Sequence, residues 1–385
     1  MKIMTRVAAA AGGAMLASLV AGQALAQDTI RMGLISDRQG LMQSFGIPSW
    51  NGTRLAVKEI NDAGGIAVNG KKYKIDLKEA ESRSNEREAS AAAVELINDQ
   101  KVKFLFGAIG PLAPIVLQLS DPAKVIYFTT SSAAAAQIDK TKYMVITVPP
   151  VAVRISISVK GIKEIYPNVK KIALLMTKDA TSDQILEPLK AELIRAGYEL
   201  TTTEMLASAS ADPSALLTRI RSTKPDLVFV GWTQEPINAV IRANKEIDAT
   251  PKFFTQGLGC TAAQAAGLDR PYAANTFVGA NIENPATPAA QGLADRYRAF
   301  TGEANPVGFY SAVWNYDFVY MLAKAIETAG TFTDTDAVLK AMRSISHQGV
   351  AGKITVNEKN SAIYGLDFCL VDSPTGKGKT YHIDP

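Results

Sequence analysis

The sequence predicts an α/β fold built as two doubly wound lobes, each around a parallel sheet. Short apolar runs typical of strands alternate with helical segments along most of the 385 residues, and this alternation favours parallel strand pairing. It occurs in two successive series, which Pro149 and Pro150 separate. A chain of this length also exceeds the size at which one hydrophobic core usually stops growing, so two lobes are expected.

Residues 1–26 have the features of a secretory signal peptide. Lys2 and Arg6 precede a short apolar stretch, and Ala26 and the alanine two positions before it are the small residues expected at a cleavage site. The stretch is shorter than the ~20 apolar residues of a membrane-spanning helix and contains several glycines. We therefore expect an exported chain, cleaved after Ala26, that is not inserted in a membrane.

The charge balance gives no reason to expect a nucleic acid or an anionic membrane as partner. The chain has 41 Lys and Arg against 37 Asp and Glu, and removal of Lys2 and Arg6 leaves 39 against 37, a net charge of +2. A charge so close to zero does not attract polyanions.

Cysteine and histidine are too few to predict a metal centre or a cofactor site. The chain contains only Cys260, Cys369, His347 and His382, which offers little for zinc or a transition metal. The cysteines follow no spacing motif, so the sequence is compatible with either a disulfide or two free thiols. Both histidines lie in polar surroundings, which predicts solvated side chains rather than general bases.

The first series contains four predicted strands connected by helices. Ile30, Met32 and Leu34 alternate with polar residues and predict the first strand. The helix that follows ends at Gly64 and Gly65, which are typical helix stops. Further strands are predicted over residues 74–78, 102–106 and 125–128, and helices over residues 49–63, 86–99 and 112–119.

The second series repeats this organisation. One of its helices begins with Asp212 at the N-cap and Pro213 in the first turn. The series begins after residues 143–148 and the proline pair. Its strands are predicted over residues 171–176, 199–204, 226–230, 252–255 and 275–278, and its helices over residues 155–166, 185–196 and 235–247. The C-terminal part predicts helices over residues 290–300 and 310–328, then strands over residues 352–357 and 366–371 joined by a turn.

Four consecutive hydroxyl side chains, residues 129–132, directly follow an apolar strand. At the carboxyl edge of a parallel sheet, such donors are typical of a polar ligand site, with a Ser/Thr-rich turn as the alternative. Hydroxyl groups without a neighbouring base are weak nucleophiles. The chain contains no G-x-S-x-G, phosphate-loop or H-E-x-x-H motif, and no G-x-G-x-x-G between a strand and a helix. The run therefore indicates binding rather than catalysis.

Several segments have the order and spacing of one known protein family. The most specific is the helix end AVKEINDAGGI at residues 56–66. Other matching segments are residues 33–35, 51–52, 106–108, 129–133, 229–232 and 310–325. Together they resemble the branched-chain amino-acid-type periplasmic solute-binding proteins of ABC importers. The resemblance implies a type I periplasmic-binding fold, a periplasmic location and a monomer that delivers a small-molecule ligand to permease subunits.

The resemblance also implies a three-crossover hinge between the lobes. The matching crossings lie near Val148, Ala280 and Gln348. The lobes would then comprise residues 27–148 with 281–347, and residues 149–280 with 348–385. They would close by hinge rotation over a ligand held between the carboxyl edges of both sheets, and the importer would recognise the closed form.

Four candidate ligand-binding residues of the first lobe follow from the resemblance. In amino-acid-binding members, the loops after the third and fourth strands hold the ligand carboxylate. The matching residues here are Leu112, Ala113, Thr130 and Ser131. Pro111 has no N–H, so Leu112 or Ala113 must supply any backbone donor of the first loop.

Two positions differ from the amino-acid-binding members. The threonine and the glutamate that hold the ligand ammonium there correspond to Ala133 and Gln256 here, within one residue of alignment. Burying an ammonium without a negative partner is strongly unfavourable, whereas a neutral amide suits a carbonyl or hydroxyl group. An α-amino acid is therefore disfavoured as the ligand.

Aromatic residues occupy further contact positions. Phe45, Trp232 and Tyr310, with Thr233 beside the tryptophan, match the positions that surround the ligand. Planar side chains next to a hydroxyl-lined end suit an aromatic carboxylic acid, while ordinary core packing is the alternative for each ring.

Three polar residues complete the candidate set. Ser182 and Asp183 match the contact loop of the second lobe, although Asp183 could equally be a helix N-cap. Arg154 follows the first hinge, where its guanidinium could pair with a carboxylate or cap the hinge.

These observations predict a periplasmic protein that captures a small organic acid, an aromatic carboxylate, for ABC-type import. An amino-acid or amide binder is the alternative if the loop alignment shifts by one residue. A secreted enzyme on the same scaffold is opposed by the missing base and nucleophile pairs. A ligand-sensing repressor is opposed by the signal peptide and the lack of a DNA-binding helix pair, while a periplasmic sensor partner stays open.

Overall fold

The computed structural model describes residues 29–40, 42–178, 180–208, 211–231, 239–240, 242–244, 246, 252–256, 272–276, 284–304, 308–371 and 379–385. Some predictions lie outside these residues, namely the signal peptide, most of the helix over residues 235–247, and the crossing near Ala280. Within the described ranges, no helix combines the length and the apolar character needed to cross a membrane.

The strands and helices alternate along the chain as the sequence predicts. The strands are β1 (Ile30–Ser36), β2 (Ile66–Val68), β3 (Lys71–Tyr73), β4 (Ile75–Glu81), β5 (Phe104–Gly107), β6 (Ile126–Thr129), β7 (Met144–Ile146), β8 (Lys171–Thr177), β9 (Glu199–Leu206), β10 (Leu227–Val230), β11 (Lys252–Gln256), β12 (Tyr272–Thr276), β13 (Ser346–Gly349), β14 (Gly352–Val356), β15 (Ala362–Ile363), β16 (Leu366–Val371) and β17 (Lys379–Ile383). The helices are α1 (Gln43–Asp62), α2 (Glu86–Val94, continued by a π-helical turn Glu95–Asp99), α3 (Ala113–Ser120), α4 (Ser132–Ala135), α5 (Val151–Ile165), α6 (Ala180–Arg195), α7 (Ser214–Ser222), α8 (Pro288–Thr301), α9 (Phe309–Ala329) and α10 (Thr335–Ser344).

The first sheet has five parallel strands in the order β4-β1-β5-β6-β7. The order reverses between β1 and β5, so the loops that follow these strands leave toward opposite faces of the sheet. In open α/β sheets, this topological switch point is where a crevice opens at the carboxyl ends of the strands.

The second sheet has the order β17-β16-β12-β11-β10-β8-β9. Strands β8 to β12 are parallel and repeat the first sheet's arrangement, with a switch point between β8 and β10. Strands β16 and β17 add to it in antiparallel pairing. The prediction of two doubly wound parallel sheets is confirmed, and the antiparallel edge is an addition to it.

Among the described residues, one hydrophobic core accompanies the first sheet, and a main core with a smaller cluster accompanies the second. In the first, the rings of Phe106 and Phe128 stack at 4.3 Å between centroids. In the second, Phe254 lies between Phe229 and Phe368. Burying each such ring stabilises the fold by roughly 1.5–3 kcal/mol relative to exposure. We call the parts around these cores the first and the second lobe.

Helix α1 begins at Gln43, earlier than the predicted start at residue 49. Gly46 and Pro48 weaken the helical pattern in the sequence. The early turns are held by α9, because the Ser311 hydroxyl donates to the Phe45 carbonyl at 2.9 Å and α9 packs along α1. Tertiary contact thus overrides local propensity here.

The predicted pairing of the last two strands is wrong. Strand β14 pairs with β13 and β15 in a small sheet of the first lobe, whereas β16 joins the second sheet. Periodicity indicates a strand but not its partner. Helix α10 and strand β17 are also absent from the prediction, although Asp334 caps α10 by accepting the N–H of Ala337 at 3.1 Å.

Cys369 in β16 is disulfide-bonded. The chain has one other cysteine, Cys260, which lies outside the described residues.

Candidate ligand-binding site

The loops after β1, β5 and β6 lie side by side, because these strands are neighbours in the first sheet. We call residues 37–40, 42, 108–112 and 130–131 the first carboxyl edge. It contains four of the predicted site residues or their immediate neighbours, and it includes the switch point.

Asp37 joins the loops of the first carboxyl edge. Its carboxylate is 1% exposed and accepts the backbone N–H of Ile109 at 2.9 Å, while the Ser82 hydroxyl donates to its other oxygen. Burial raises the pKa of Asp37, although these two hydrogen bonds oppose the rise. The carboxylate of this one buried acid therefore connects the loops after β1, β4 and β5, which are distant in sequence.

Glu81 holds the same loop from the end of β4. It accepts hydrogen bonds from the Ser36 hydroxyl at 2.7 Å and from the side chain of Arg38 at 2.8 Å. Burial by itself would raise the pKa of Glu81, but these hydrogen bonds outweigh it and lower the pKa. Both carboxylates are thus engaged by protein donors.

The loop after β5 has an unusual backbone. Gly107 has φ +99°, and a Cβ at this position would lie 1.8 Å from the Ile35 carbonyl oxygen, so only glycine fits. Ala108 also has a positive φ of 52°, a conformation that is unfavourable for a residue with a side chain. The Tyr127 hydroxyl lies 3.0 Å from the carbonyl oxygens of both residues, and its single proton is shared between them in a bifurcated hydrogen bond.

Ser131 has a structural role. Its hydroxyl donates to the Gly110 carbonyl at 2.6 Å and accepts the N–H of Ala134 at 3.2 Å, which makes it the N-cap of α4. The Ala113 N–H donates to the same Gly110 carbonyl. The predicted residues Ala113 and Ser131 are therefore brought together, and both donate to the Gly110 carbonyl.

Other donors of this edge stay available. Thr130 is half-buried, and its hydroxyl makes no hydrogen bond to another described residue. The first N–H groups of a helix have no intrahelical acceptor, and this applies to the backbone N–H groups of Ser132 and Ala133 at the start of α4. Leu112 is buried and forms a 3₁₀ turn with Gly110.

An aromatic group lies where α1 and α9 begin. The rings of Phe45 and Tyr310 meet edge to face at 6.0 Å, and Tyr310 meets Trp314 in the same way at 5.1 Å. The predicted residues Phe45 and Tyr310 are thus in contact. The sequence prediction missed Trp314, although its spacing of four residues from Tyr310 places both on one face of a helix.

The candidates of the second lobe lie near the ends of its strands. Gln256 is the last residue of β11. The prediction that Ser182 and Asp183 belong to a loop is wrong, because α6 begins at Ala180 and both lie in its first turn. Asp183 is consequently not an N-cap, although an acid in the first turn still favours the helix dipole.

Two candidates follow the second switch point and one follows the first crossing. Trp232 and Thr233 come directly after Gly231 but lie outside the described residues. Arg154 lies in the first turn of α5, where burial lowers the pKa of its guanidinium and the nearby Tyr364 opposes that shift.

The comparison with known proteins identifies the family. Residues 29–371 match the family described as periplasmic binding protein. The chain belongs to this family. The periplasmic binding proteins of this type are solute-binding components of ABC importers and not enzymes.

Individual relatives of this periplasmic binding protein differ in their ligands. A Leu/Ile/Val-binding protein of Rhizobium johnstonii is 27% identical over 94% of this chain and 97% of its own length. A branched-chain amino-acid ABC transporter periplasmic ligand-binding protein from Burkholderia xenovorans superimposes with a TM-score of 0.78 at 17% identity, covering 93% of this chain and 96% of that one. A solute-binding protein of an ABC transporter from Rhodopseudomonas palustris, in complex with p-hydroxybenzoic acid, has a TM-score of 0.71 at 20% identity over 93% and 98%.

Neither histidine of this periplasmic binding protein is the solvated side chain that the sequence suggests. His382 lies 2.9 Å from the buried Asp367, and the ring of His347 stacks on Tyr320 at 6.2 Å. Burial lowers the pKa of His347. Burial also opposes the charge on His382, but the carboxylates of Asp367 and Asp384 outweigh it and raise the pKa. Both histidines belong to the fold rather than to the first carboxyl edge.

Proposed function

We propose that this periplasmic binding protein captures a small aromatic carboxylate in the cleft between its lobes for ABC-type import. The observation that carries the proposal is the engagement of the carboxylates at the first carboxyl edge. Asp37 and Glu81 each bind protein donors, and the resemblance puts the neutral Ala133 and Gln256 where an ammonium would be held. A buried ammonium would have no negative partner among these residues.

The ligand carboxylate would bind the donors that stay available. These are the Thr130 hydroxyl and the backbone N–H groups of Ser132 and Ala133. Hydrogen bonds from hydroxyl and N–H groups to a carboxylate are charge-assisted and therefore stronger than neutral ones. In this proposal Ser131 shapes the site without touching the ligand.

The ligand ring would pack against the aromatic group of Phe45, Tyr310 and Trp314. Edge-to-face contacts already align these rings, and a planar ligand gains both area burial and ring contact from them. The complex of the Rhodopseudomonas palustris protein with p-hydroxybenzoic acid supports a ring-bearing ligand on this fold.

A branched-chain amino acid is the second candidate ligand. The name of the Rhizobium johnstonii relative, at 27% identity, favours it. The two candidates differ in one chemical respect, since the amino acid needs a negative partner for its ammonium and the aromatic acid does not.

A thermal-shift comparison of the wild-type protein with p-hydroxybenzoate, benzoate, L-leucine and L-leucinamide tests the proposal. A ligand present at 100 times its Kd stabilises the native state by about 2.7 kcal/mol, which is readily seen as a higher Tm. We expect the two aromatic acids to raise Tm and the two amines to have no effect. A shift with L-leucine alone would exclude the aromatic acid.

A double variant sharpens the test. Ala133→Thr with Gln256→Glu adds the groups that hold the ammonium in amino-acid-binding members. We expect it to weaken p-hydroxybenzoate binding, because the new carboxylate repels the ligand, and to introduce binding of L-leucine. The single variant Gln256→Glu is the control for added charge alone.

The lobe boundaries are part of the proposal. Val350, Ile354 and Tyr364 belong to the first core, whereas Leu366 belongs to the second. We therefore propose that the third crossing lies at Gly365 rather than near Gln348. Amide hydrogen exchange rates of residues 345–370, measured with and without ligand, would locate the hinge.

The remaining proposals concern export and assembly. We propose cleavage after Ala26 and a monomeric periplasmic protein that delivers its ligand to permease subunits. Mass spectrometry of the exported protein should give the mass of a chain that begins at Gln27. The molar mass measured in solution should be that of one chain.

A further inference from the structure

We propose that Asp37 is a positioning residue for ligand capture: its carboxylate holds the loop over residues 107–113 in the conformation that receives the ligand. The inference rests on the proposed function, because it requires that the ligand bind at the first carboxyl edge. Asp37 itself does not touch the ligand, since it is 1% exposed and both its oxygens accept hydrogen bonds from protein groups.

The position of Asp37 suits this role. It follows β1 directly, whereas its partner Ile109 follows β5 and its partner Ser82 follows β4. The bond to Ile109 therefore spans the switch point between β1 and β5, where the crevice of an open α/β sheet forms. One side chain fixes the separation of the loops on both sides of that crevice.

The loop after β5 needs contacts from other segments to keep its conformation. Gly107, Ala108 and Gly110 all have positive φ. A positive φ is unfavourable for Ala108 because it has a side chain. The two glycines allow the loop to adopt several backbone conformations. Outside contacts select the observed conformation. They include the hydrogen bonds from the Tyr127 hydroxyl, from the Ile109 N–H to the Asp37 carboxylate, and from the Ala108 N–H to the Ile35 carbonyl.

The loop after β5 is connected in turn to residues 130–131 of the first carboxyl edge. The Gly110 carbonyl accepts the Ser131 hydroxyl at 2.6 Å, and Ser131 caps α4. A displacement of Ile109 would therefore move Gly110, Ser131 and the start of α4 together. Because a preorganised site binds more tightly than one that must be ordered by its ligand, loss of Asp37 should lower affinity.

Asp317 provides a matched control. It is also 1% exposed, and it accepts the N–H groups of Val350 and Ala351 at 2.9 and 2.8 Å. It thus performs the same hydrogen-bonding task in the first core, away from the first carboxyl edge. A merely structural effect of losing a buried acid should appear equally in both places.

The test compares Asp37→Ala, Asp37→Asn and Asp317→Ala in the full exported chain, with p-hydroxybenzoate and L-leucine as calorimetric probes. We expect Asp37→Ala to bind about tenfold more weakly whichever of the two probes the wild-type protein binds. Asp37→Asn should restore it to within about threefold, because the amide oxygen still accepts the Ile109 N–H and the amide NH₂ can donate to Ser82. Asp317→Ala should leave the affinity within about twofold of wild type.

Amide hydrogen exchange of residues 109–113, without ligand, is the second readout. Faster exchange in Asp37→Ala and recovery in Asp37→Asn support the inference, whichever probe binds. If neither probe binds wild type, the proposed ligands fail, while unchanged exchange in Asp37→Ala overturns the positioning role. Faster exchange with unchanged affinity also overturns it. Should Asp37→Ala not fold, Ser82→Ala, which removes one donor to the same carboxylate, takes its place with the same expected directions.

Discussion

The first carboxyl edge and the core around α9 each contain a buried carboxylate that accepts backbone hydrogen bonds from a segment distant in sequence. At the edge, Asp37 holds the loop that begins after β5. In the core, Asp317 holds the turn between β13 and β14, where Gly349 approaches so closely that a Cβ would lie 2.7 Å from the carboxyl group. Both acids are buried acceptors of two hydrogen bonds, from one N–H and one hydroxyl at Asp37 and from two N–H groups at Asp317.

The two regions differ in what the acid holds. The segment held by Asp37 has positive φ values and borders the proposed ligand site, whereas the segment held by Asp317 packs inside a hydrophobic core. Burial raises the pKa of both acids, that of Asp317 to about 7. The comparison teaches that a buried acid can serve binding or stability, depending on the segment that it orders. Four predictions test this separation.

The largest effect is expected for Asp317→Ala. The substitution leaves the N–H groups of Val350 and Ala351 buried without an acceptor, which costs about 1–3 kcal/mol for each group. Denaturant unfolding should show a loss of about 3–5 kcal/mol, with an unchanged Kd for p-hydroxybenzoate. A loss of affinity as large as that in Asp37→Ala would remove the distinction between the two regions.

Asp317 should also make stability depend on pH. Its pKa is 3.8 as a free group and about 7 in the folded protein, so the folded state binds more protons between these values. The stabilising contribution is complete below pH 4 and is lost as pH rises toward 7, by at most about 1.4 kcal/mol per pH unit. Unfolding at pH 4.5 and 7.5 should show wild type losing stability relative to Asp317→Asn; a constant difference would contradict the assignment.

Tyr127→Phe tests the edge alone. It removes the hydroxyl that donates to the carbonyls of Gly107 and Ala108 and should cost about 1 kcal/mol of stability. The affinity for the ligand should fall about threefold, because the loop after β5 loses a hydrogen bond that holds its conformation. Tyr143→Phe, which removes a hydroxyl bound to Asp336 outside the edge, is the control and should leave affinity unchanged.

The smallest effects on stability should separate two adjacent hydroxyl groups. Ser131→Ala removes a helix cap and the bond to Gly110, for about 1 kcal/mol. Thr130→Ala should change stability by less than about 0.5 kcal/mol, because its hydroxyl binds no described residue. If Thr130 contacts the ligand, its variant should nevertheless weaken binding more. Equal losses of affinity in titration calorimetry would contradict the division of roles.

Much of the fold could be predicted from the sequence. The strands β1, with Ile30, Met32 and Leu34 alternating, and β6, at whose end the hydroxyl run begins with Thr129, were predicted at nearly the observed places. Apolar periodicity and glycine stops are local signals, so they survive without knowledge of the tertiary structure. The partner of β16 and the early start of α1 depend on contacts between distant segments, which no local pattern encodes.

The candidate site was predicted less completely. The pair of Phe45 and Tyr310 is brought together, whereas the sequence did not show that the Ser131 hydroxyl, predicted to contact a ligand, donates to the Gly110 carbonyl. Asp37 was visible only as a polar residue after a strand. Its importance depends on Ser82 and Ile109, which lie 45 and 72 residues away along the chain.

The sequence by itself determined the two α/β series, the lack of a catalytic motif and the row of hydroxyl groups at a strand end, because these follow from residue type and short-range periodicity. The tertiary structure alone decided which of the hydroxyl groups of Thr129, Thr130 and Ser131 makes no hydrogen bond to another described residue. A hydroxyl offers one proton, and whether that proton goes to a ligand or to a neighbouring carbonyl is set by the loop that the sheet order brings beside it.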